Sequence, residues 1–275
     1  MAIVLALVSS IMWGIADFLG GVATKKSHVA LVVGLSQIFG LGTVAVVGVV
    51  TGFDYTAEVI PWAVAASLSG FAGLSLFYQA LSIGRMGIVS PIASLGVMVP
   101  LAFGLLGGER PSQLQIVGII AAVVGIVLAS GPELTGDADP KPVIFAVGAA
   151  AGFGVCLYTI SRGSEFSVIS TMTGMRMVTA ILCTIWIVVV ASKDRELVKP
   201  SWTVIAVVGF FDVMANVTFG YATAMDLLSL VSVLGSLYPV FTVLLALVFL
   251  KERLLPVQYV GVVAALTGVG FIAGG

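Results

Sequence analysis

Apolar residues run along the chain in ten long stretches, and short polar joints separate them. The stretches lie near residues 2–22, 29–51, 60–83, 86–106, 113–131, 142–162, 168–191, 202–224, 227–250 and 257–274. A helix needs about 20 residues to cross about 30 Å of hydrocarbon, and in lipid it satisfies its own backbone groups. The pattern therefore predicts an all-α integral membrane protein with ten transmembrane helices.

The last five stretches repeat the first five. Identical residues stand 143 positions apart in the pairs Glu109/Glu252, Arg110/Arg253, Gln115/Gln258, Gly118/Gly261, Ala122/Ala265 and Gly125/Gly268. Near the start of each half, Trp13-Gly14 corresponds to Phe153-Gly154. Because five is an odd number of crossings, the second copy enters the membrane in the opposite sense. We expect two inverted five-helix repeats, residues 1–131 and 142–275, with a polar linker at 132–141.

Composition excludes an ordinary soluble protein. Hydrophobic residues make up 60% of the chain and charged residues 9%, whereas soluble domains carry roughly 25% charged residues. The mean hydropathy is +1.20. A net charge of −1 leaves no basic face for nucleic acid. Cys156 and Cys183 lie in apolar stretches without metal-ligand spacing, so we expect neither a metal nor a cofactor.

The distribution of lysine and arginine predicts an orientation. Joints after the odd-numbered stretches carry nine of these residues, and the other joints carry two, Arg110 and Arg162. Cytoplasmic loops are the ones enriched in positive charge. The count therefore places both termini outside the cytoplasm. The apolar start of the chain has no basic region before it, so we expect a retained first span and no cleaved signal.

Several residues interrupt or end the apolar stretches. Pro91, Pro100 and Pro239 lie inside the fourth and ninth stretches, where proline should kink or break a helix. Such breaks could be the hinges of a moving gate or inert bends. Glu109 and Glu252 each stand beside an arginine at the end of a stretch. For these two glutamates we expect a capping or loop-fixing role.

Three charged residues fall inside the stretches, where each costs about 2.5–3.5 kcal/mol to insert. Asp212 lies near the middle of the eighth stretch, about 15 Å from either surface at 1.5 Å per residue. Arg176 lies about 12 Å deep in the seventh stretch, and Asp17 about 8 Å deep in the first. Asp212 and Arg176 could form a structural ion pair. Alternatively, Asp212 faces a cavity in which it takes up a proton or holds an ammonium group.

Other polar or aromatic residues accompany these charges. Asn216 follows Asp212 by four residues and shares its helical face. Trp13 precedes Asp17 by the same spacing, and an aromatic ring beside a carboxylate can hold a cationic or amphipathic ligand. The alternative for Trp13 is an anchor at the membrane interface. Three uncharged polar residues are candidates for the walls of a cavity, with hydrogen bonds between helices as the alternative: Gln37, Tyr78 and Gln79.

The order and duplication of several motifs resemble the drug/metabolite transporter superfamily, and in particular its EamA-type branch of two five-helix repeats. The motifs are Trp13-Gly14-Ile15-Ala16-Asp17, Phe77-Tyr78-Gln79-Ala80-Leu81, Gly107-Gly108-Glu109-Arg110 and Leu250-Lys251-Glu252-Arg253. Arg176 matches an arginine often present in the seventh helix of such proteins, and the first half has Gln37 at the corresponding position. The resemblance covers essentially the whole chain. It implies a secondary carrier of small metabolites, and it implies termini inside the cytoplasm, contrary to the charge count.

We therefore expect a multi-pass carrier, not an enzyme, that acts as a monomer in the plasma membrane. It would move a small amino-acid-like or cationic solute by alternating access around a central cavity. The candidate substrate-binding residues are Trp13, Asp17, Gln37, Tyr78, Gln79, Arg176, Asp212 and Asn216. Asp212 and Asp17 are the candidates for proton coupling, and no Walker-type glycine loop indicates ATP. The alternatives are a flippase for lipids or amphiphiles, and a membrane-embedded enzyme, for which no nucleophile and base are evident.

Overall fold

The computed structural model describes residues 1–54, 56–84, 86–129, 140–193, 200–249 and 255–275. In this part of the chain the only regular structure is helical, which confirms the all-α prediction. The helices are α1 (Ala2–Thr24), α2 (Val29–Thr51), α3 (Val59–Ile83), α4 (Met86–Ser94), α5 (Met98–Leu106), α6 (Gln113–Ala129), α7 (Lys141–Ser164), α8 (Val168–Lys193), α9 (Trp202–Thr223), α10 (Leu228–Gly235), α11 (Tyr238–Phe249) and α12 (Pro256–Gly274). A single 3₁₀ turn, Leu95–Val97, separates α4 from α5.

Among the described residues, eight helical segments are long and apolar enough to cross a membrane, and α10 and α11 together count as one of them. Shorter apolar helices cover Ile92–Leu106 and Gln113–Leu128. The protein is thus a multi-pass integral membrane protein. Most of the predicted linker lies outside the described residues; α7 begins at its last residue, Lys141.

The predicted breaks occur in the fourth and ninth apolar stretches. The fourth is interrupted at Leu95–Val97, and the ninth at Ser236 and Leu237. Pro100 and Pro239 then lie in the first turns of α5 and α11. The backbone nitrogens of a first turn have no partner within the helix, so proline is tolerated there but cannot continue a preceding helix. The side chain of Pro91 lies outside the described residues.

The packing of the helices follows the duplication. α1 packs against α9, and α7, the counterpart of α1, packs against α3, the counterpart of α9. α2 packs against its own counterpart α8, and α6 packs against its counterpart α12. Along α2, Gly34 lies against Ile187 and Gly40 against Arg176, so α2 and α8 run antiparallel.

α6 and α12 also run antiparallel, and small residues allow their backbones to come close. A Cβ atom added at Gly118 would lie 2.8 Å from the carbonyl oxygen of Gly268 and 2.9 Å from the backbone nitrogen of Ile272. Gly125, about two turns further along α6, lies against the backbone of Ala265. Small residues thus form the contact between these two helices, as is common where membrane helices pack closely.

Candidate functional site

A cavity lies between the two halves of the chain, and it has two adjoining lobes of about 60 Å³ each. Five residues line both lobes: Trp13, Leu74, Phe153, Cys156 and Asp212. The first lobe is completed by Asp17, Leu157 and residues of the two broken helices, among them Ser94, Ser236 and Tyr238. The second lobe is completed by residues of α2, α3, α8 and α9, among them Gln37, Gly70, Arg176 and Asn216.

A closed polar network of three side chains forms one wall of the second lobe. Nη2 of Arg176 lies 2.8 Å from Oδ2 of Asp212, and Nε2 of Gln37 donates a hydrogen bond of 2.9 Å to the same oxygen. Nη1 of Arg176 donates to Oε1 of Gln37. The three residues come from α8, α9 and α2, so the network joins both halves of the chain. The structure thus contains the ion pair between Arg176 and Asp212 that the sequence analysis gave as one alternative.

Burial makes this network energetically important. Only 2% of the Arg176 side chain and 14% of the Asp212 side chain is exposed. Removing one partner of a buried ion pair leaves an uncompensated charge, at a cost of about 3–5 kcal/mol. Gln37, which also binds Arg176, cannot compensate the charge of the guanidinium group because its amide is neutral. Loss of either charged partner would therefore destabilise the packing of α2, α8 and α9.

Asn216 contacts both the backbone oxygen and the second carboxylate oxygen of Asp212. Its Nδ2 lies 2.6 Å from the backbone oxygen of Asp212 and 3.5 Å from Oδ1. Asn216 is 5% exposed and lines the second lobe. The polar stripe predicted on this face of α9 thus points into the cavity.

Asp17 differs from Asp212 because it lacks a partner. It is 8% exposed and lines the first lobe, yet within the described part of the chain its carboxylate makes neither a hydrogen bond nor an ion pair. Its neighbour one turn earlier, Trp13, lines both lobes, with ring centroids 5.6 Å from Phe219 and 6.5 Å from Tyr238. Trp13 is therefore part of the cavity wall and is not an interfacial anchor.

Corresponding positions of the two halves face the same cavity with different chemistry. Trp13 and its counterpart Phe153 both line the two lobes. Asp17 and Leu157 stand four residues after these aromatics, on α1 and α7, and both line the first lobe. One wall of the cavity thus carries a carboxylate where the related wall carries an aliphatic side chain.

The structure does not bring every candidate to the cavity. Tyr78 is 1% exposed, packs against Gly20 and donates a hydrogen bond of 3.4 Å to the backbone oxygen of Ala16. It links α3 to α1, as the alternative reading of this residue expected. Gln79, the next residue on α3, is half-buried and is not among the described residues that line either lobe.

Three aromatic residues that line the cavity were not among the site residues predicted from the sequence: Phe71, Phe153 and Tyr238. Phe153 could have been found, because the duplication aligns it with Trp13. Tyr238 looks like an ordinary residue of an apolar helix in the sequence; in the structure it directly follows the break at Ser236 and Leu237 and lines the first lobe. Cys156, which the sequence analysis did not count among the site residues, also lines both lobes.

Glu109 connects the fourth stretch to the ninth. α5 ends at Leu106, and Gly108 adopts a φ of 100°, a backbone conformation that favours glycine. The turn carries the carboxylate of Glu109 to the first turn of α10, where it accepts hydrogen bonds from the backbone N–H groups of Leu228 (2.6 Å) and Ser229 (2.9 Å). The capping role is confirmed, although the capped helix belongs to the other half. Glu252 lies outside the described residues.

Comparison with known proteins agrees with this architecture. Residues 1–131 and 140–274 match the EamA-like transporter family. An uncharacterized protein of Methanocaldococcus jannaschii is 25% identical over 140 residues, which are 47% of this chain and 96% of the relative. A protein of known crystal structure has the same fold, with a TM-score of 0.76 over 98% of this chain and 95% of its own, at 17% identity. The family match covers nearly the whole chain, and the protein therefore belongs to the EamA-like transporter family, a family of membrane transporters of small solutes.

Proposed function

We propose that this protein is a secondary transporter that moves a small amino-acid-like or cationic solute by alternating access. The observation that carries the proposal is the cavity between the two halves, whose otherwise largely apolar lining includes the charged residues Asp17, Arg176 and Asp212. Charged groups inside membrane spans are rare because their insertion is costly, and they commonly mark substrate or ion pathways.

The proposal includes ten crossings arranged as two inverted repeats, within residues 1–131 and 142–275. Its support is that α4 with α5 and α6 add two shorter apolar segments to the eight long ones. The antiparallel pairing of α2 with α8 and of α6 with α12 also supports it, since two copies related by an axis in the membrane plane have this arrangement. The half-length archaeal relative fits the idea that one repeat is a complete unit.

Alternating access would use the broken helices as gates. α10 is a helix of eight residues, and its last turn leads directly into the unwound Ser236, which lines the cavity. Its first turn is held by Glu109. Movement of α10 about Ser236 and Leu237 would expose the cavity at the end of the bundle where Glu109 lies.

Protons are the proposed source of energy, with Asp212 or Asp17 as the titrating group. The groups that face these carboxylates are Arg176 and Gln37 on Asp212, and Cys156 and Tyr238 across the first lobe. Protonation of Asp212 would release Arg176 from its ion pair and loosen the contact of α8 with α9. Proton uptake could thereby be coupled to a change in how the halves pack.

We further propose a monomer in the plasma membrane with both termini outside the cytoplasm. In support of this orientation, Lys25, Lys26, Lys141 and Lys193 all lie at helix ends that face one side if the crossings alternate.

Counterflow of labelled solutes in proteoliposomes tests the function. Vesicles preloaded with an unlabelled solute should accumulate the labelled form transiently if the protein is a carrier. Amino acids, amines and nucleobases form the panel, and protein-free vesicles provide the background. Absence of exchange for the whole panel would contradict the proposal. Movement of fluorescent lipids instead would indicate the flippase alternative.

A further inference from the structure

We infer that the first lobe binds an organic monocation, whose ammonium group lies on the carboxylate of Asp17 and whose apolar part lies against Trp13, Phe153 and Tyr238. This inference rests on the proposed transport function and names the class of its substrate.

The charges around the cavity do not balance. Among the described residues that line it, Asp17 and Asp212 are acidic and only Arg176 is basic. Arg176 is already bound by Asp212 and Gln37. A buried ionised carboxylate without a partner is costly. One positive charge beside Asp17 would therefore neutralise the cavity.

Three aromatic residues line the same lobe as Asp17: Trp13, Phe153 and Tyr238. Trp13 lies one helical turn before Asp17, and Tyr238 lies with its ring centroid 6.5 Å from that of Trp13. Phe153 faces the same lobe from the opposite half. An ammonium group near such rings gains cation–π attraction of about 0.5–2 kcal/mol. The buried hydroxyl group of Tyr238 has no hydrogen-bond partner in the part of the chain that the structure describes.

The same charges disfavour an anion and a zwitterion. A carboxylate on the ligand would need a cationic partner, and the one cationic side chain in the described lining, Arg176, already pairs with Asp212, so the ligand would have to compete with that carboxylate. Asp17 would also repel the carboxylate of the ligand. A ligand with a single positive charge meets no such conflict.

The lining also argues for an organic ion and against a metal ion. Hard metal cations take six or more oxygen ligands, and no group of three or more His, Cys, Asp or Glu residues that could hold a metal occurs among the described residues. The remainder of the first lobe is largely apolar, with Leu74, Val97 and Leu157. Such a surface suits the hydrocarbon part of an amine.

Isothermal titration calorimetry of the full-length protein in detergent tests the site. Benzylammonium and isoamylammonium are titrated beside benzyl alcohol and isoamyl alcohol, which have similar shapes without the charge. The ammonium compounds should bind the unaltered protein, and Asp17→Asn should weaken them by about tenfold or more, since a charged hydrogen bond is lost. Asp54→Asn, which alters an exposed carboxylate between α2 and α3, should leave the binding unchanged.

Two variants keep the outcome interpretable. If Asp17→Asn fails to fold, Asp17→Glu retains the charge and should still prefer each ammonium compound to its alcohol. Equal binding of alcohols and ammonium compounds, undiminished binding by folded Asp17→Asn, or no binding of any ammonium compound to the unaltered protein would overturn the inference.

Counterflow separates this inference from the transport function on which it rests. Exchange of uncharged metabolites without binding of ammonium compounds would refute the cation site and leave a transporter. Binding of ammonium compounds that depends on Asp17, without exchange of any solute, would refute transport and leave the site.

Discussion

The carboxylate of Glu109 accepts a hydrogen bond of 2.9 Å from the backbone N–H of Ser229, 120 residues further along the chain. Its other oxygen accepts from Leu228 at 2.6 Å. Arg110 does not compete for this carboxylate, since its Nη1 donates to the backbone oxygens of Glu109 and Leu105. Asp226 takes the preceding N–H, that of Leu227. The backbone N–H groups at the start of α10 are therefore bound by Asp226, in the joint before the helix, and by Glu109 of the first half.

Removing this contact should open the cavity. Each bond to a charged group contributes about 1.5–3 kcal/mol, so Glu109→Ala should raise the population of the open state about tenfold or more. The native Cys156, which lines both lobes, reports the opening. In a Cys183→Ala background, a membrane-impermeant maleimide should label Cys156 faster in Glu109→Ala than in the parent.

Glu165→Gln is the matched control for this experiment. Glu165 also lies in a joint between helices, but it pairs with Arg162 at the exposed end of α7. The labelling rate of Cys156 should not respond to this substitution. An unchanged rate in Glu109→Ala would show that Glu109 fixes a loop and does not restrain a gate.

Asp212→Asn should abolish the pH dependence of transport. The amide cannot take up a proton in the working range, and it no longer attracts Arg176. Counterflow is measured between about pH 5 and pH 8, where maximal stability usually falls, with Asp54→Asn as a control. If the rate and the pH profile of Asp212→Asn both match those of the parent, Asp212 does not carry the proton.

Arg176 and Asp212 should depend on each other for stability. Arg176→Gln leaves a buried carboxylate without its ion partner and should destabilise the protein by about 3–5 kcal/mol. The double variant Arg176→Gln/Asp212→Asn removes both charges and should recover much of this loss. The midpoint of thermal unfolding in detergent measures both effects. A double variant no more stable than Arg176→Gln would mean that the ion pair is not the source of the coupling.

The helices could be predicted from the sequence, because hydropathy reports directly which segments can leave water. Breaks in the fourth and ninth stretches could also be predicted, since Pro100 and Pro239 cannot continue a preceding helix, but the prolines do not fix the residues at which each stretch is interrupted. What hydropathy does not report is which face of a helix points inward. Because lipid is as apolar as a protein interior, polarity does not distinguish the side of α3 that faces lipid from the side that faces the protein. This is why Tyr78 and Gln79 looked like cavity residues and lie elsewhere.

Charge was a better guide to the site than polarity. Asp17, Arg176 and Asp212 all line the cavity, because a charge in lipid is too costly to leave facing outward. The bridging position of Gln37 depends on the exact approach of α2 to α8, which no spacing in the sequence encodes. The aromatic wall formed by Tyr238 likewise depends on where the ninth stretch unwinds.

The tight contact of α6 with α12 should be sensitive to a single methyl group. A Cβ atom at Gly268 would lie 2.6 Å from the backbone nitrogen of Ala122 and 2.7 Å from the backbone oxygen of Gly118. Gly268→Ala should therefore separate the helices and cost about 1–3 kcal/mol. Gly270→Ala, two residues away on the same helix, meets nothing within 4 Å and should be neutral or slightly stabilising. Equal thermal midpoints for the two variants would contradict the close packing.

The duplicated architecture allows the negative charge of the first lobe to be moved to the opposite wall. Leu157 occupies the position on α7 that Asp17 occupies on α1, and both line the lobe. If binding of an ammonium compound requires one carboxylate in this lobe, Asp17→Asn/Leu157→Asp should regain part of the affinity that Asp17→Asn loses. Leu157→Asn in the same background is the uncharged control, and the thermal midpoint verifies that each variant is folded. If both Leu157 substitutions recover affinity equally, polarity at this position suffices. If a folded Leu157→Asp variant recovers none, the position of Asp17 beside Trp13 matters more than the charge of the lobe.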